Sequence, residues 1–293
     1  MSQRAAQDST NYIFRAKTKE AYVIKILSEL LNNAHINRSP FRIDSDGIHL
    51  SQADQNNHQL INFTLFRENF FNYRATKPLH FDVNTEHFHK LLKTIKKKDT
   101  ITLFIKDSPD TDECNKLGIK VETSDEVVHT DTTIRIKYIQ PQVFNEPTGY
   151  PNPTICTNKE FQKMKNLQNI SKEMEVTCPC PGLVRFYCDG GEIYERTVVL
   201  GNDQQRDDDI KDEDHEEFKQ KFKTAHICGL TKAANQSGNV RIFTKKGLPL
   251  KIKMGAGHLG DLCVYIKSEE RIKLEQKLEA EKKKQEADAE LEE

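Results

Sequence analysis

The chain has 293 residues, 36% of them apolar, and a formal net charge of -1. That length suits two domains of ordinary size. No run approaches the roughly 20 apolar residues of a membrane-spanning helix, and polar Met1 to Thr10 lacks the apolar centre of a secretory signal. The seven cysteines are odd in number and thinly spread, which argues against a disulfide framework, and Cys178-Pro-Cys180 does not match structural zinc spacing. These features describe an intracellular chain with no membrane contact.

The elements follow in chain order. Tyr12 to Ala16 is a short strand. Tyr22, Val23, Ile26, Leu27 and Leu30 recur at helical spacing. Phe41 to Asp44 and Ile48 to Leu50 flank the turn Ser45-Asp46-Gly47. Strands follow at Leu60 to Phe66 and Phe71 to Arg74. A second helix runs from Asn84, a good N-cap, to Lys97. Strands resume at Thr100 to Ile105, Gly118 to Glu122 and Thr132 to Tyr138.

Residues 139–153 interrupt the pattern with prolines at 141, 147, 151 and 153. Proline denies a ladder its N–H and fixes φ, so an extended connector is expected. A helix over 158–170 then places Phe161, Met164 and Leu167 on one side. Strands follow at Met174 to Cys178, Leu183 to Cys188, Glu192 to Leu200 and Phe218 to Lys223. A helix over His226 to Ala234 precedes strands at Val240 to Thr244, Pro249 to Lys253 and Leu262 to Lys267. The tail, Glu269 to Glu293, has strong helix propensity but few apolar residues, so a solvated, partly helical or flexible appendage is expected.

The second half repeats the first. In an ungapped comparison Leu91 meets Leu230, Lys93 meets Lys232, Ile101 meets Val240 and Phe104 meets Phe243. The fold class is α+β: two similar domains, 11–138 and 154–268, each of antiparallel sheet with two helices on one face.

Net charge near zero hides segregation. Lys90 to Lys98 is densely basic and Arg206 to Glu217 mostly acidic, so one face suits a polyanion. On the second helix Phe88, Leu91, Leu92 and Ile95 share one side; Lys90, Lys93 and Lys97 share the other. Lys25 on the first helix, Lys159 and Lys165 on the third and Lys232 on the fourth also oppose the apolar stripes. No zinc finger, helix-turn-helix or aromatic platform is present, so phosphate contact without base reading is expected. No glycine shapes the acidic stretch as a calcium loop requires, and no phosphate loop, nucleophile elbow or HExxH occurs. No catalytic residue, metal ligand or cofactor is assigned.

Several segments resemble one family. Ile43-Asp-Ser-Asp-Gly-Ile-His-Leu-Ser-Gln-Ala-Asp54, Asp82-Val-Asn-Thr-Glu-His-Phe-His-Lys-Leu-Leu-Lys93, Leu230-Thr-Lys-Ala233, Leu248-Pro-Leu-Lys-Ile252 and Gly260-Asp261-Leu262 with Tyr265-Ile266 are similar, in order, to DNA sliding clamps of the proliferating cell nuclear antigen type. The divergence is compatible with a large DNA virus or a protist. The resemblance implies a homotrimeric head-to-tail ring around duplex DNA, with Lys25, Lys90, Lys93, Lys97, Lys165 and Lys232 facing the phosphates. It implies a processivity factor and docking platform for DNA polymerase and other replication and repair proteins, a clamp loader, and action in the nucleus or at a viral replication site. Partners with short aromatic motifs would enter a pocket built from Ala53, Leu60, Pro249, Tyr265 and Ile266, with Val143 or Phe144 of the connector. A checkpoint-type subunit of a hetero-oligomeric ring is the alternative.

Overall fold

The computed structural model describes residues 11–108, 110–124, 128–142, 144–202 and 218–291. The acidic stretch 206–217 and Val143 lie outside the described residues. Contacts divide the chain into two compact units. One comprises Met1–Gln52, Asn62–Phe144 and Ala256–Leu262; the other comprises Ala53–Ile61, Asn145–Gly255 and Cys263–Glu293.

The first unit follows the order strand, helix, strands, helix, strands. Its elements are β1 (Tyr12–Thr18), α1 (Ala21–Asn33), β2 (Arg38–Ile43), β3 (Gly47–Ala53) up to Gln52, β4 (Gln59–Phe66) from Asn62, β5 (Asn72–Ala75), β6 (Leu79–Asn84), α2 (Thr85–Leu92), β7 (Thr100–Lys106), α3 (Thr111–Cys114), β8 (Lys116–Glu122) and β9 (His129–Tyr138). The strands form antiparallel sheet in the order β4-β3-β2-β6-β9-β8-β7-β1-β5. Helix α1 buries Val23, Ile24, Ile26, Leu27, Leu30 and Leu31. Phe41 from the sheet stands 5.8 Å from Phe88 of α2 and 6.3 Å from Phe63, ring centre to ring centre. Burying Phe88 alone contributes about 2–3 kcal/mol.

The turn between β2 and β3 is specified in detail. The Asp44 carboxylate accepts the backbone N–H groups of Asp46 and Gly47 at 2.9 and 3.2 Å, the local bonding that makes Asp a turn residue. Gly47 is required there because a Cβ would clash with the Leu65 carbonyl. Burial tends to raise the Asp44 carboxyl, but the Asp46 N–H bond, with His49 and Arg42, holds it below the ordinary range.

The second unit contains β10 (Thr154–Thr157), α4 (Asn158–Phe161) with a 3₁₀ turn over Gln162–Leu167, β11 (Glu173–Cys180), β12 (Leu183–Asp189), β13 (Glu195–Gly201), β14 (Phe218–Lys223), α5 (Thr224–Cys228), α6 (Thr231–Ala234), β15 (Asn239–Phe243), β16 (Leu250–Ala256) up to Gly255, β17 (Gly260–Ile266) from Cys263 and α7 (Glu269–Leu291). One sheet runs β13-β12-β11-β14, and β10-β15-β16-β17 are neighbours in another. The helix-then-two-strands order of α2-β7-β8 recurs as α5/α6-β15-β16, in line with the sequence repeat.

Three helices differ from the sequence expectation. Helix α2 ends at Leu92, not Lys97. Beyond it, Ile95 is buried and the Lys96 N–H bonds the carboxylate of buried Asp99 at 2.8 Å, so the chain turns. The expected helix over 158–170 is α4 followed by 3₁₀. Its buried residues Phe161, Met164 and Leu167 recur strictly every three, a spacing that a three-fold helix stacks in one line. The expected helix 226–234 is two short helices, α5 and α6, broken at Gly229-Leu230. The tail forms α7, whose first turn is docked: Ile272 is buried, and Arg271 donates to the Gly247 carbonyl at 2.8 Å.

Candidate nucleic-acid interface and partner surface

In the first unit the lysines sit where α1 and α2 turn their apolar sides inward. Lys25 is half-buried on α1. Its Nζ donates to the Ile95 carbonyl at 2.9 Å and lies 5.4 Å from the centre of the Tyr22 ring. Asn84 caps α2, its side chain accepting the His87 N–H at 2.9 Å, which satisfies one orphan donor of the first turn. Lys90 is exposed and bonded to Glu86 one turn earlier at 2.6 Å, which holds the Glu86 carboxyl below its ordinary range. Lys93 is exposed at the C-cap of α2, and Lys97 is exposed in the turn that follows, off the helix. A contact through Lys90 therefore competes with Glu86, a cost that the lysine spacing alone did not reveal.

In the second unit Lys165 is exposed on the 3₁₀ turn and Lys159 on α4; at i and i+6 they share one side. A capping box opens this segment, with the Glu160 carboxylate accepting the Thr157 N–H at 2.7 Å. Lys232 is exposed on α6. The Gln162 amide donates to the Thr231 carbonyl, tying the 3₁₀ turn to α6. The predicted lysines thus fall into two sets, Lys25, Lys90, Lys93 and Lys97 in one unit and Lys165 and Lys232 in the other.

The predicted partner surface is more closed than the sequence suggested. Ala53 and Leu60 are half-buried, Pro249, Tyr265 and Ile266 are buried, and Phe144 is half-buried. Within the second unit the connector is fastened to the sheet through Glu146, Tyr150, Phe243 and Lys251, which sequence reasoning missed. The Tyr265 hydroxyl donates to Glu146 at 2.7 Å and the Tyr150 hydroxyl to the Pro249 carbonyl at 2.8 Å. The Lys251 ammonium stands 5.4, 5.2 and 5.3 Å from the ring centres of Tyr150, Phe243 and Tyr265, a cation–π arrangement. Burial, then the Glu146 bond, raises the Tyr265 phenol well above its ordinary value. An aromatic residue in a proline-bounded linker, Tyr150, was the available signal.

Among the described residues no cluster of His, Cys, Asp or Glu could hold a metal ion, and no helix is long and apolar enough to cross a membrane.

The class of protein is therefore an α+β chain of antiparallel sheets backed by short helices with exposed lysines. Residues 13–141 match the family model described as proliferating cell nuclear antigen, N-terminal domain, so over this segment the chain is similar to sliding clamps of that type.

Proposed function

We propose that this chain is a processivity clamp: three copies close head to tail into a ring around duplex DNA and tether DNA polymerase and other replication and repair proteins to it. A clamp loader opens the ring, which works in the nucleus or at a viral replication site. Lys25, Lys90, Lys93, Lys97, Lys165 and Lys232 face the phosphates, and clients with short aromatic motifs dock through Ala53, Leu60, Pro249, Tyr265 and Ile266, with Val143 or Phe144 of the connector. The observation that supports this reading is that Lys90, Lys165 and Lys232 are exposed on helical segments and Lys93 and Lys97 are exposed just after α2, which suits contact with phosphate without base reading. A closed heterologous ring is an allowed symmetry. Encirclement lets each contact stay weak, so sliding stays fast.

The test is light scattering of the purified chain with polymerase assays on primed circular DNA. A three-chain mass, and processivity that falls when Lys90 and Lys93 are changed to Glu while the mass holds, are expected. A monomer that assembles only with different chains, or processivity indifferent to both charges, would overturn the reading.

A further inference from the structure

The basic run Lys96-Lys97-Lys98 is held in place rather than left loose. Its ends are pinned by buried Ile95 and Asp99. The Ile95 N–H bonds the Leu92 carbonyl at 3.1 Å, and Asp99 closes the turn onto Lys96 through both its carboxylate and its own N–H, at 2.8 and 3.2 Å. All three lysines are exposed, and none forms a salt bridge with a described carboxylate. Like charges packed into one rigid turn repel, so the arrangement needs compensation.

Part of it comes from α1. Lys25 donates to the Ile95 carbonyl at 2.9 Å and thereby holds the turn against the helix. The Tyr22 ring, one helical turn before Lys25, lies 5.4 Å from the Lys25 ammonium and 5.7 Å from that of Lys97. An aromatic face attracts cations through its quadrupole. One tyrosine thus gathers a lysine from α1 and a lysine from the turn, and leaves Lys93, Lys96 and Lys98 facing solvent beside them.

We infer that Tyr22 is a positioning residue for a phosphate-binding turn, Lys96–Lys98, which together with Lys25 and Lys93 grips the backbone of duplex DNA. Tyr22 touches no phosphate; it fixes the direction of two ammonium groups that do. Duplex DNA suits this turn because it offers a dense row of negative charge, about one per 1.7 Å of axis, and every cation of the cluster can find a phosphate without a base-specific fit. The inference rests on the DNA-encircling reading and adds a component to it.

The experiment measures binding of the full chain to a short blunt duplex by fluorescence anisotropy, over salt from about 50 to 200 mM. Changing Tyr22 to Leu leaves the formal charge intact and should weaken binding about three- to ten-fold; Tyr22→Phe keeps the ring and should restore it. Lys96→Gln, Lys97→Gln and Lys98→Gln should each reduce the slope of log affinity against log salt by about 1, with thermal midpoints near that of the parent. Equal binding by the Leu, Phe and parent chains, while Lys93→Glu still weakens it, would overturn the role of Tyr22 and leave the DNA reading standing. No binding by the parent chain would overturn both. Polyglutamate competing as well as duplex at equal charge would replace DNA with an acidic protein segment as the partner of the turn.

Discussion

His226 of α5 is half-buried, and its Nδ1 is sealed from solvent without a hydrogen-bond partner among the described residues. Around it stand Asp54, His58, whose ring centre is 6.3 Å away, and Lys223, whose Nζ is 3.0 Å from His58 Nδ1. Burial pushes the His226 imidazole down to about 4, with Lys223 and His58 adding to the effect and Asp54 opposing it; His58 is lowered for the same first reason. The unfolded chain titrates its histidines near 6.5. Below that pH the unfolded state binds a proton that native His226 refuses, so stability rises with pH across this range. The contribution is full above about pH 6.5, falls as pH drops towards 4 and then levels off. Urea unfolding at pH 7.5 and 5 should show the parent losing about 2 kcal/mol more than His226→Gln between the two. Identical losses would mean that His226 is protonated in the native state. In the first unit the Tyr73 hydroxyl serves two carbonyls, Asp44 and Gly47, both at 2.7 Å. Tyr73→Phe should cost about 1 kcal/mol in the same assay, and a neutral effect would show that the Asp44 turn holds without it.

At the scale of elements the decisive feature is which strand edges are already used. Strand β9 pairs with β8 from His129 to Arg135, while β6 reaches only Ile136 to Tyr138. The Ile136 N–H bonds the Asn115 carbonyl at 2.9 Å. By the alternation of an antiparallel ladder, the N–H groups of Asp131, Thr133 and Arg135 point away from β8, to the side that β6 does not cover. On β13, the last strand of its sheet, the Gly190–Tyr194 bond sets the phase, and the N–H groups of Thr197 and Val199 point outward; Val199 is 49% exposed. Such edges invite another chain. The expected joint of the proposed ring therefore pairs β9 of one subunit with β13 of the next, and it is probed best at an N–H that the subunit's own ladder does not use, unlike that of Ile136. Thr133→Pro removes an outward N–H alone and should yield monomers with native far-ultraviolet dichroism; a persistent trimer would place the joint elsewhere. Helix α7 gives a second element-level expectation: amides over 269–275, anchored by Ile272 and by the Arg271–Glu275 pair at 3.1 Å, should exchange slowly, and those beyond Leu278 fast. Much of this architecture was legible. Helix α1 announced itself through Val23, Ile26, Leu27 and Leu30, and the β2–β3 turn through Ser45-Asp46-Gly47. Strand β6 was missed although Leu79, Phe81 and Val83 alternate, because Asp82 looks like a turn residue; in the fold it is neutralised by the two-pronged grip of Arg38 across from β2. Four-residue β10 was hidden behind the proline run. The aromatic clasp on Lys251 was not legible, since it joins the connector, β15, β16 and β17, which only the fold brings together.

At the scale of the whole molecule, a net charge of -1 leaves little long-range attraction to DNA, so any grip must come from local lysine clusters. Two of these lysines are encumbered: Lys90 by Glu86, and Lys25 by the Ile95 carbonyl. A protein holding DNA by such contacts alone would be shed quickly as salt rises, because each phosphate contact releases counterions and steepens the salt dependence. Encirclement removes that dependence for retention while preserving it for the initial contact. The proposed ring therefore makes two measurable quantities part company. Equilibrium binding of the chain to short duplexes should weaken steeply between about 50 and 200 mM salt. Retention of loaded chain on nicked circular DNA, followed by gel filtration, should change little over the same range and should collapse once the circle is cut, as rings run off the ends. Charge reversal of Lys90 and Lys93 should then lower the first quantity far more than the second. Retention that tracks salt as binding does, or that survives linearisation unchanged, would mean that the chain grips DNA from one side and does not surround it.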